Sequence, residues 1–564
     1  MSKNLSYLAG RKGVAKTLFE ELGIAAAESG TPSVEKMEEL RKEFLVGKAN
    51  VLGTATFYDF LKPENQGKKV YVCNGSACLC AGTQPALKEK LQRHFKEDEI
   101  GEMCCLGRCH ENAAFHIGGK NYSGKAIDTI SEIKRNKTVV ADQYNVASKG
   151  TAILTQKFPG LEAYYQTLKD CLKKSIAELQ TELKTSGLRG RGGAGFPMGI
   201  KLESCRNTDA DQRFIVCNAD EGDPGAYSDR YLLEHQPHAV LMGMIIAGYL
   251  ANASVGVLYI RAEYPESIEV IEKAIQQLHD HRFIGENIFG SDFSFHFKVI
   301  KAQGAYICGE ETALLSSIEG QRPEVRVRPP YPAQQGLFNL PTVVNNVETL
   351  ANLPFIVQNG GKEFASLGTP KSTGTKLVSL DGYFNKPGIY EVDMGTPLSV
   401  VVNALGGGFR EPVKAMHIGG PLGGLVPVSK INDLTIDFES FSKEGFLLGH
   451  ASIVCIPQDF PLLLYIEHLF EFTAHESCGK CFPCRLGSTR GKEMLQKART
   501  SDYKIDRRLM DDLLETLEIG SLCMLGGGLP LPVKNALKYF DDELNIYFME
   551  NNHKGHKEIL HKGH

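Results

Sequence analysis

Residues 214–225 read FIVCNADEGDPG, an apolar run that ends in an amide and three carboxylates. A short apolar run bounded by a polar turn is typical of a buried strand. The polar side chains are those of Asn218, Asp220, Glu221 and Asp223. Acidic side chains at the carboxyl end of a strand lie where α/β folds bind ligands. This stretch therefore predicts an α/β domain with a binding crevice.

Strand and helix patterns alternate on both sides of this stretch, from about residue 187 to residue 368. Residues 239–260 contain no charged side chain and could just cross a bilayer. Small polar residues after Leu250 divide the run into a helix and a short strand over residues 255–260. The pattern therefore predicts a buried crossover of one larger α/β domain, with no membrane span.

Two more polar turns fall within this domain. Residues 306–312 read YICGEET, and residues 341–349 read PTVVNNVET. Carboxylates accept hydrogen bonds from ribose hydroxyl groups, and amides can read the edge of a ring. Any one of the turns could be a solvated polar face, but three turns around one domain favour a binding site.

A glycine loop, GRGGAGFP at residues 190–197, contains a formal GxGxxG pattern. A dinucleotide fingerprint follows a strand and opens a helix, whereas this loop follows helix-forming sequence over residues 175–183. An ordinary Rossmann turn is therefore excluded. The glycines still predict close approach of backbone to a flat or phosphorylated ligand, with Arg191 and Lys201 supplying positive charge. A plain glycine turn is the alternative.

The C-terminal cysteines form the more specific of two groups. Residues 478–484 read CGKCFPC, and a remote Cys523 supplies a fourth thiolate. Three thiolates spaced two residues apart can wrap one face of a compact inorganic centre, as in bacterial ferredoxins. The group Cys478, Cys481, Cys484 and Cys523 predicts electron transfer and argues against hydrolysis.

The N-terminal cysteines lie in two loops, CNGSAC at residues 73–78 and CLGRC at residues 105–109. Two pairs of thiolates suit either a [2Fe-2S] cluster or tetrahedral zinc. Structural zinc usually takes two-residue gaps, whereas the gaps here are four and three residues. The spacing favours a cluster on Cys73, Cys78, Cys105 and Cys109, and the neighbouring Cys80 or Cys104 could exchange with them.

The chain of 564 residues has room for several domains. The element patterns predict a multidomain α/β protein with seven segments. They are a helical arm at 1–62, a thioredoxin-like α/β domain at 63–140, a linker with helix at 141–186, the larger α/β domain at 187–370, a small β-rich domain at 371–457, a helical domain at 458–545 and a His/Lys-rich tail at 546–564. A disordered polar end is favoured over a metal site for residues 553–564.

Charge and composition narrow the classes of partner. The 63 basic and 67 acidic residues give a net charge of −4 without a basic stripe, which disfavours nucleic acid. Fifteen cysteines without an apparent signal peptide fit a reducing compartment, so we expect a cytoplasmic protein.

Over residues 187–526 these motifs together resemble the flavoprotein subunit of respiratory complex I and its soluble relatives, the diaphorase subunits of NAD-linked hydrogenases and formate dehydrogenases. Residues 49–127, including ATFYDF at 55–60, resemble the [2Fe-2S] subunit of the same complexes. The chain thus resembles a fusion of the two. The resemblance implies a thioredoxin-like [2Fe-2S] ferredoxin domain, an FMN-binding and NAD(H)-binding α/β domain, a β-grasp-like domain and a helical [4Fe-4S] domain.

The resemblance also implies site residues. It assigns FMN to Gly190, Gly192, Lys201, Asn218, Asp220, Glu221, Gly309, Glu310, Glu311, Asn345, Asn346 and Thr349. It places the nicotinamide nucleotide against Phe196, Lys201, Glu311 and Tyr331, and the clusters on the two cysteine groups. Two departures leave the choice of NAD or NADP open. Ser204 stands where an adenine-holding aromatic is common, and Asp223 replaces the commoner glutamate.

The function expected from the resemblance is a diaphorase. NADH delivers a hydride to FMN, and electrons then pass singly through the clusters to partner subunits of a hydrogenase, formate dehydrogenase or complex I type assembly. No side chain need act as an acid or base. The rival hypotheses are a noncatalytic electron-relay subunit and a zinc-stabilised interaction protein.

Overall fold

The computed structural model describes residues 13–29, 31–135 and 142–549. The chain forms two compact units, Met1–Gln458 and Asp459–His564. The histidine-rich end predicted as a polar tail, residues 553–564, lies outside the described residues. Among the described residues, no helix combines the length and apolar character needed to cross a membrane.

The first unit begins with three helices and a thioredoxin-like sheet. The helices are α1 (Leu18–Ser29), α2 (Val34–Phe44) and α3 (Lys48–Ala55). The sheet has the order β2-β1-β3-β4 and is flanked by short helices. Its elements are β1 (Val70–Cys73), α4 (Ser76–Cys80), α5 (Gln84–Gln92), β2 (Ile100–Met103), β3 (Phe115–Ile117), β4 (Lys120–Tyr122) and α6 (Ile130–Ile133). Because β1 and β2 are parallel, with Cys73 opposite Met103, both cysteine loops begin at the same edge.

A four-stranded parallel sheet forms the middle of the first unit, in the order β8-β7-β6-β9. Its strands are β6 (Phe214–Ala219), β7 (Val255–Ile260), β8 (His296–Lys301) and β9 (Thr342–Asn346). Strands β7 and β8 lie on one side of β6, and β9 lies on the other. The order therefore changes direction between β6 and β9, which is where open α/β sheets bind ligands.

Ten helices of the described part accompany this sheet. They are α7 (Leu161–Cys171), α8 (Ile176–Ser186), α9 (Met198–Asn207), α10 (Ser228–His235), α11 (Pro237–Ala251), α12 (Pro265–Asp280), α13 (Glu311–Ile318), α14 (Val347–Ala351), α15 (Leu353–Asn359) and α16 (Gly361–Ala365). Helix α11 is buried on almost all sides and leads into β7, so residues 239–260 form the predicted crossover.

A six-stranded mixed sheet completes the first unit, in the order β13-β12-β14-β10-β11-β5. It contains β5 (Asn145–Lys149), β10 (Thr375–Leu380), β11 (Gly388–Asp393), β12 (Val413–Ile418), β13 (Gly424–Pro427) and β14 (Ser452–Pro457), with helix α17 (Phe438–Lys443). Strand β5 comes from the segment that the sequence predicts as a linker. All five of its residues are exposed, so it joins the sheet by pairing its backbone with β11.

The second unit is helical. Its helices are α18 (Leu462–Glu476), α19 (Ser488–Thr500), α20 (Arg507–Gly520), α21 (Met524–Gly528), α22 (Pro530–Tyr539) and α23 (Asp541–Leu544). Helices α18 and α19 pack closely because Gly491 faces Phe470, where a Cβ would lie 2.1 Å from a ring carbon. The two units together confirm the predicted multidomain α/β class with a helical C-terminal part.

Candidate functional site

Two of the predicted polar turns meet at the carboxyl ends of β6 and β9, and a third is joined to them. Asn218 and Asn346 are register partners on the two strands. The Asn218 Nδ2 atom donates to the Gly309 carbonyl oxygen at 2.8 Å, which ties the third turn to β6. Asn218, Asn346 and the Gly309 turn therefore lie together at the point where the strand order reverses.

The glycine loop lies between helices α8 and α9, with no strand before it, and approaches the same crevice. A Cβ on Gly192 would lie 2.9 Å from the Cβ atom of Asn346, so only glycine fits there without a shift. Gly193 and Gly195 have φ values of +118° and +60°. Phe196, at the end of the loop, is 52% exposed, which leaves its ring available for stacking.

Arg191 differs from its predicted role beside a phosphate. Its side chain is fully buried, and Nη2 donates to the Thr373 carbonyl oxygen at 2.6 Å. Burial lowers the pKa of Arg191 to about 10. The Arg191 guanidinium therefore stabilises the glycine loop by a buried hydrogen bond. The partly exposed Lys201 is left as the cation that can contact a ligand.

The two neighbouring amides, Asn345 and Asn346, form different hydrogen bonds. Asn346 Oδ1 accepts hydrogen bonds from the Thr349 backbone N–H at 2.9 Å and hydroxyl at 2.7 Å, and its Nδ2 donates to Asp229 at 3.0 Å. Thr349 Oγ1 in turn accepts from the Arg191 N–H at 2.8 Å. Asn346 and Thr349 thus hold the glycine loop against β9 by internal hydrogen bonds.

Asn345 is the amide that can read a ligand. Its Nδ2 atom is buried and finds no hydrogen-bond acceptor among the described residues. Leaving such a donor unsatisfied costs about 1–3 kcal/mol, which an acceptor on a bound ring would recover. This donor and the close glycine backbone fit the flavin that the resemblance implies.

Lys201 and Glu311 form the charged part of the crevice. Lys201 Nζ donates to Glu311 Oε2 at 2.7 Å and to the Val344 carbonyl oxygen at 2.8 Å. Glu311 Oε1 also lies 3.2 Å from Arg328 Nη1. Both Lys201 and Glu311 are partly exposed, so they can exchange this pairing for contacts with a charged ligand. Tyr331, predicted beside the nucleotide, is 56% exposed.

Three other predicted carboxylates are buried or engaged in helix caps. Glu310 Oε2 caps α13 by accepting from the Thr312 and Ala313 N–H groups at 2.9 Å. Glu221 caps α10 by accepting from the Asp229 and Arg230 N–H groups at 2.9 and 3.1 Å. Burial raises the pKa of Glu221. Asp220 is also buried. The Glu310 and Glu221 side chains therefore fix their turns by capping the helices that follow.

Tyr306, Asp223 and His450 form a group of side chains beside the acidic turn that the sequence did not predict. The Tyr306 hydroxyl donates to Asp223, and the Asp223 carboxylate pairs with His450. Burial alone would raise the pKa of Asp223, but His450 lowers it below its ordinary value. Tyr306 could have been selected because it opens the YICGEET turn. His450 has no such signal, since only the fold brings it to Asp223.

The four N-terminal cysteines that the sequence selects are brought together and buried. The Sγ atoms of Cys105 and Cys109 lie 3.5 Å apart, and the Cys73 thiol contacts those of Cys105 and Cys78. Cys80 instead neighbours Asp381 and Cys455. The geometry therefore favours the predicted four over a set that includes Cys80, and four adjacent buried thiols suit a metal centre.

The C-terminal cysteines lie at one end of the helical unit. Cys484 neighbours Cys481 and Cys478. Cys523 immediately precedes α21, and a Cβ on Gly526 of that helix would lie 2.8 Å from the Cβ atom of Cys484. Cys478 and Cys484 are buried, whereas Cys481 and Cys523 are partly exposed. The donor set suits a four-thiolate cluster.

Three comparisons with known proteins bear on these sites. The model of the Nuo51 FMN-binding domain matches residues 183–355, that of the thioredoxin-like [2Fe-2S] ferredoxin matches residues 6–137, and that of the NADH-ubiquinone oxidoreductase-F iron-sulfur binding region matches residues 465–547. The NAD-reducing hydrogenase HoxS subunit alpha of Cupriavidus necator is 33% identical over 87% of this chain and 85% of its own length. The chain belongs to this family of NAD(H)-linked flavoprotein subunits.

Other relatives agree with this family. The NADP-reducing hydrogenase subunit HndC of Solidesulfovibrio fructosivorans is 42% identical over 68% of this chain and 78% of its own length. The crystal structure of an air-oxidised NAD+-reducing [NiFe]-hydrogenase superposes with a TM-score of 0.82 at 28% identity, covering 95% of both chains. The chain is thus an oxidoreductase module dependent on FMN, one [4Fe-4S] cluster and one [2Fe-2S] cluster.

Proposed function

We propose that this chain exchanges a hydride between NAD(H) and FMN and passes electrons singly through its clusters to or from a partner subunit. The partner belongs to a soluble hydrogenase or formate dehydrogenase, with a complex I type NADH-quinone oxidoreductase as the alternative. The relatives from Cupriavidus necator and Solidesulfovibrio fructosivorans, which are hydrogenase subunits by name, support the first assignment. The reaction runs in either direction.

One observation carries the flavin assignment. The glycine loop and the unsatisfied Asn345 N–H meet at the carboxyl ends of β6 and β9, where an α/β sheet binds its ligand. When bound, FMN supplies the exchange between hydride transfer and one-electron transfer. Asn345 donates to the ring, and Lys201 supplies the positive charge.

The nucleotide is held by the partly exposed side of the same crevice. Phe196 offers an exposed ring for stacking. Glu311 accepts hydrogen bonds from ribose hydroxyl groups once its hydrogen bond with Lys201 is broken. In this proposal the segment 187–370 binds both FMN and NAD(H). No side chain would need to act as an acid or base, since the flavin would supply the hydride chemistry.

The second unit provides the face for the partner. Large apolar side chains near its cysteines are exposed, and exposed apolar patches mark interaction surfaces. They belong to Phe482, Leu486, Ile519, Leu522 and Met524. Since Cys481 and Cys523 are also partly exposed, a cluster on this group has its edge toward this face, which suits electron transfer to a docked subunit.

The test is anaerobic purification, followed by assay of FMN, iron and sulfide and by titration with NADH or NADPH. We expect about six iron and six sulfide atoms per chain, and rapid bleaching of flavin and clusters by one of the two nucleotides. Bound FMN without bleaching by either nucleotide would contradict the proposal and support an electron relay. Zinc in place of iron and sulfide would identify an interaction protein.

A further inference from the structure

The loop that carries Cys105 and Cys109 is fastened by residues far away in the sequence. The Gly107 carbonyl oxygen accepts a hydrogen bond from Arg230 Nη1, and the Cys109 carbonyl oxygen accepts from the Gly382 N–H at 2.9 Å. One contact reaches sulfur directly. The Gly225 N–H donates to Cys109 Sγ at 3.2 Å.

Gly225 belongs to the acidic turn at residues 220–225, which follows β6 and carries predicted flavin residues. Side chains on both sides hold this turn. Asp223 pairs with Tyr306 and His450, and the Glu221 carbonyl oxygen accepts from Arg261 Nη1. The turn is therefore fixed before any ligand arrives, and the Gly225 amide is aimed at the sulfur.

Water does not compete for this contact, because Cys109 is 2% exposed and Gly225 is buried. An N–H group that donates to a cysteine sulfur stabilises the more negative, reduced form of an iron–sulfur cluster. The effect is larger in a buried environment, where charge is poorly screened. A second donor, the Gly107 N–H on Cys105 Sγ at 3.4 Å, comes from the cysteine loop itself.

We propose that the Gly225 amide sets the reduction potential of the [2Fe-2S] cluster, so that the acidic turn of the flavin-binding region tunes the neighbouring electron carrier. Gly225 is thus a positioning residue for electron transfer. The inference rests on the proposed cluster ligand Cys109. Loss of the donor makes the cluster harder to reduce, while the [4Fe-4S] cluster of the second unit keeps its potential.

The chain offers a matched set of variants. A Cβ at position 225 would lie 2.5 Å from Val454 Cγ2, and the φ value of +99° is strained for alanine. Gly225→Ala therefore pushes the turn away from Cys109. Val454→Ala alone leaves the amide in place, and the double variant Gly225→Ala/Val454→Ala removes the collision.

The measurement is a redox titration of the full-length protein by electron paramagnetic resonance, which follows both clusters separately. Hydrogen bonds to charged groups are roughly twice as strong as those between neutral groups. We expect Gly225→Ala to lower the ratio of reduced to oxidised [2Fe-2S] cluster about tenfold at fixed potential, or ~59 mV for one electron. Val454→Ala should match the wild type, and the double variant should recover part of the loss.

An unchanged [2Fe-2S] potential in a cluster-loaded Gly225→Ala protein would overturn the inference. Should that variant fail to assemble, Asp223→Asn loosens the same turn and should lower the ratio about twofold, within the range of a weakened hydrogen bond. An unchanged potential there would also overturn it. Retention of the [2Fe-2S] signal in Cys109→Ala, which has no donor atom at this position, would instead show that the ligand assignment is wrong.

Discussion

The two cysteine groups each bring four thiols together, but from differently spaced parts of the chain. Three of the four C-terminal cysteines lie within residues 478–484, and the helical unit alone brings Cys523 to them. The N-terminal four come from two loops joined by the parallel pairing of β1 and β2, and contacts from Gly225, Arg230 and Gly382 cover them.

The surroundings of each cysteine group fit a different use of its cluster. Two of the C-terminal cysteines are partly exposed, which suits exchange of electrons with another protein. All four N-terminal cysteines are buried, and the Gly225 N–H of the flavin-binding region donates to one of them, which suits tuning of the potential. The N-terminal site therefore depends on the whole first unit, and the C-terminal site depends on its own unit.

Removal of one ligand from each site is expected to have the largest effect. Cys109→Ala should abolish the [2Fe-2S] signal, and Cys484→Ala should abolish the [4Fe-4S] signal, because each replacement leaves three thiolates. Cys80→Ala is the control and should retain both signals. Iron content and electron paramagnetic resonance measure the outcome. Loss of both clusters in either variant would show that the two sites do not assemble independently.

A change in the crevice should leave both clusters intact. Glu311→Gln removes a charge that we assign to the nucleotide, and the KM for NADH should rise about tenfold, as expected for one charge-assisted hydrogen bond. Bound FMN should be retained. Glu203→Gln, on the same helix as Lys201, is the control and should show wild-type kinetics. Unchanged kinetics in Glu311→Gln would remove this residue from the site.

Replacing Arg230 or Arg499 compares how much one ion pair contributes to the stability of each unit. Arg230 is buried, pairs with Asp142 and holds the cysteine loop, whereas Arg499 is partly exposed and pairs with Glu467 at 2.6 Å. Breaking a buried pair costs about 3–5 kcal/mol, and breaking an exposed one costs about 0–1 kcal/mol. The Arg499 pair lies between these limits, because Arg499 is partly exposed whereas Glu467 is buried.

Arg230→Met should therefore shift the loss of [2Fe-2S] absorbance to a lower urea concentration, with the [4Fe-4S] transition unchanged. Arg499→Met should produce a smaller shift, confined to the [4Fe-4S] transition. Equal shifts in the two variants would show that the N-terminal site does not depend on distant contacts.

The smallest effect is a pH dependence confined to the second unit. Burial lowers the pKa of His468 to about 4 from its ordinary 6.5. Between these values the unfolded state binds more protons than the folded state, so stability falls as the pH falls from about 6.5 toward 4.

In His468→Gln this contribution is absent. Lowering the pH from 7 to 5.5 should therefore reduce the Tm of the [4Fe-4S] transition in the variant by about 4–8 °C less than in the wild type. The [2Fe-2S] transition serves as the internal control. The same pH dependence in both proteins would show that His468 does not titrate in this way.

Much of the fold could be predicted from local patterns. Helix Pro237–Ala251 and strand Val255–Ile260 appear where the sequence pattern predicts them. Strand β5 could not be predicted, because its five residues are exposed and have no alternating pattern. Its position depends on hydrogen bonds to β11, whose residues lie far away in the sequence.

The site was predicted less completely than the fold. The sequence selects Asn345 and Asn346 together, but only the packed structure shows that Asn346 is bonded to Thr349 and Asp229 while Asn345 keeps a free N–H. The sequence also gives Arg191 a role at a phosphate, whereas the fold buries its guanidinium. Residue type shows which bonds are available, and packing decides which of them the protein uses.

Residue types and their spacing were enough to predict the kinds of group that this protein binds. Cysteine spacing favours metal clusters, and the glycine loop and polar strand ends predict a binding site for a flat or phosphorylated ligand, which the family resemblance identifies as a flavin. Only the tertiary structure decided that Gly225 reaches Cys109 and that His450 reaches Asp223. Such contacts join residues distant in sequence, and they exist only when the buried sheets bring those residues together.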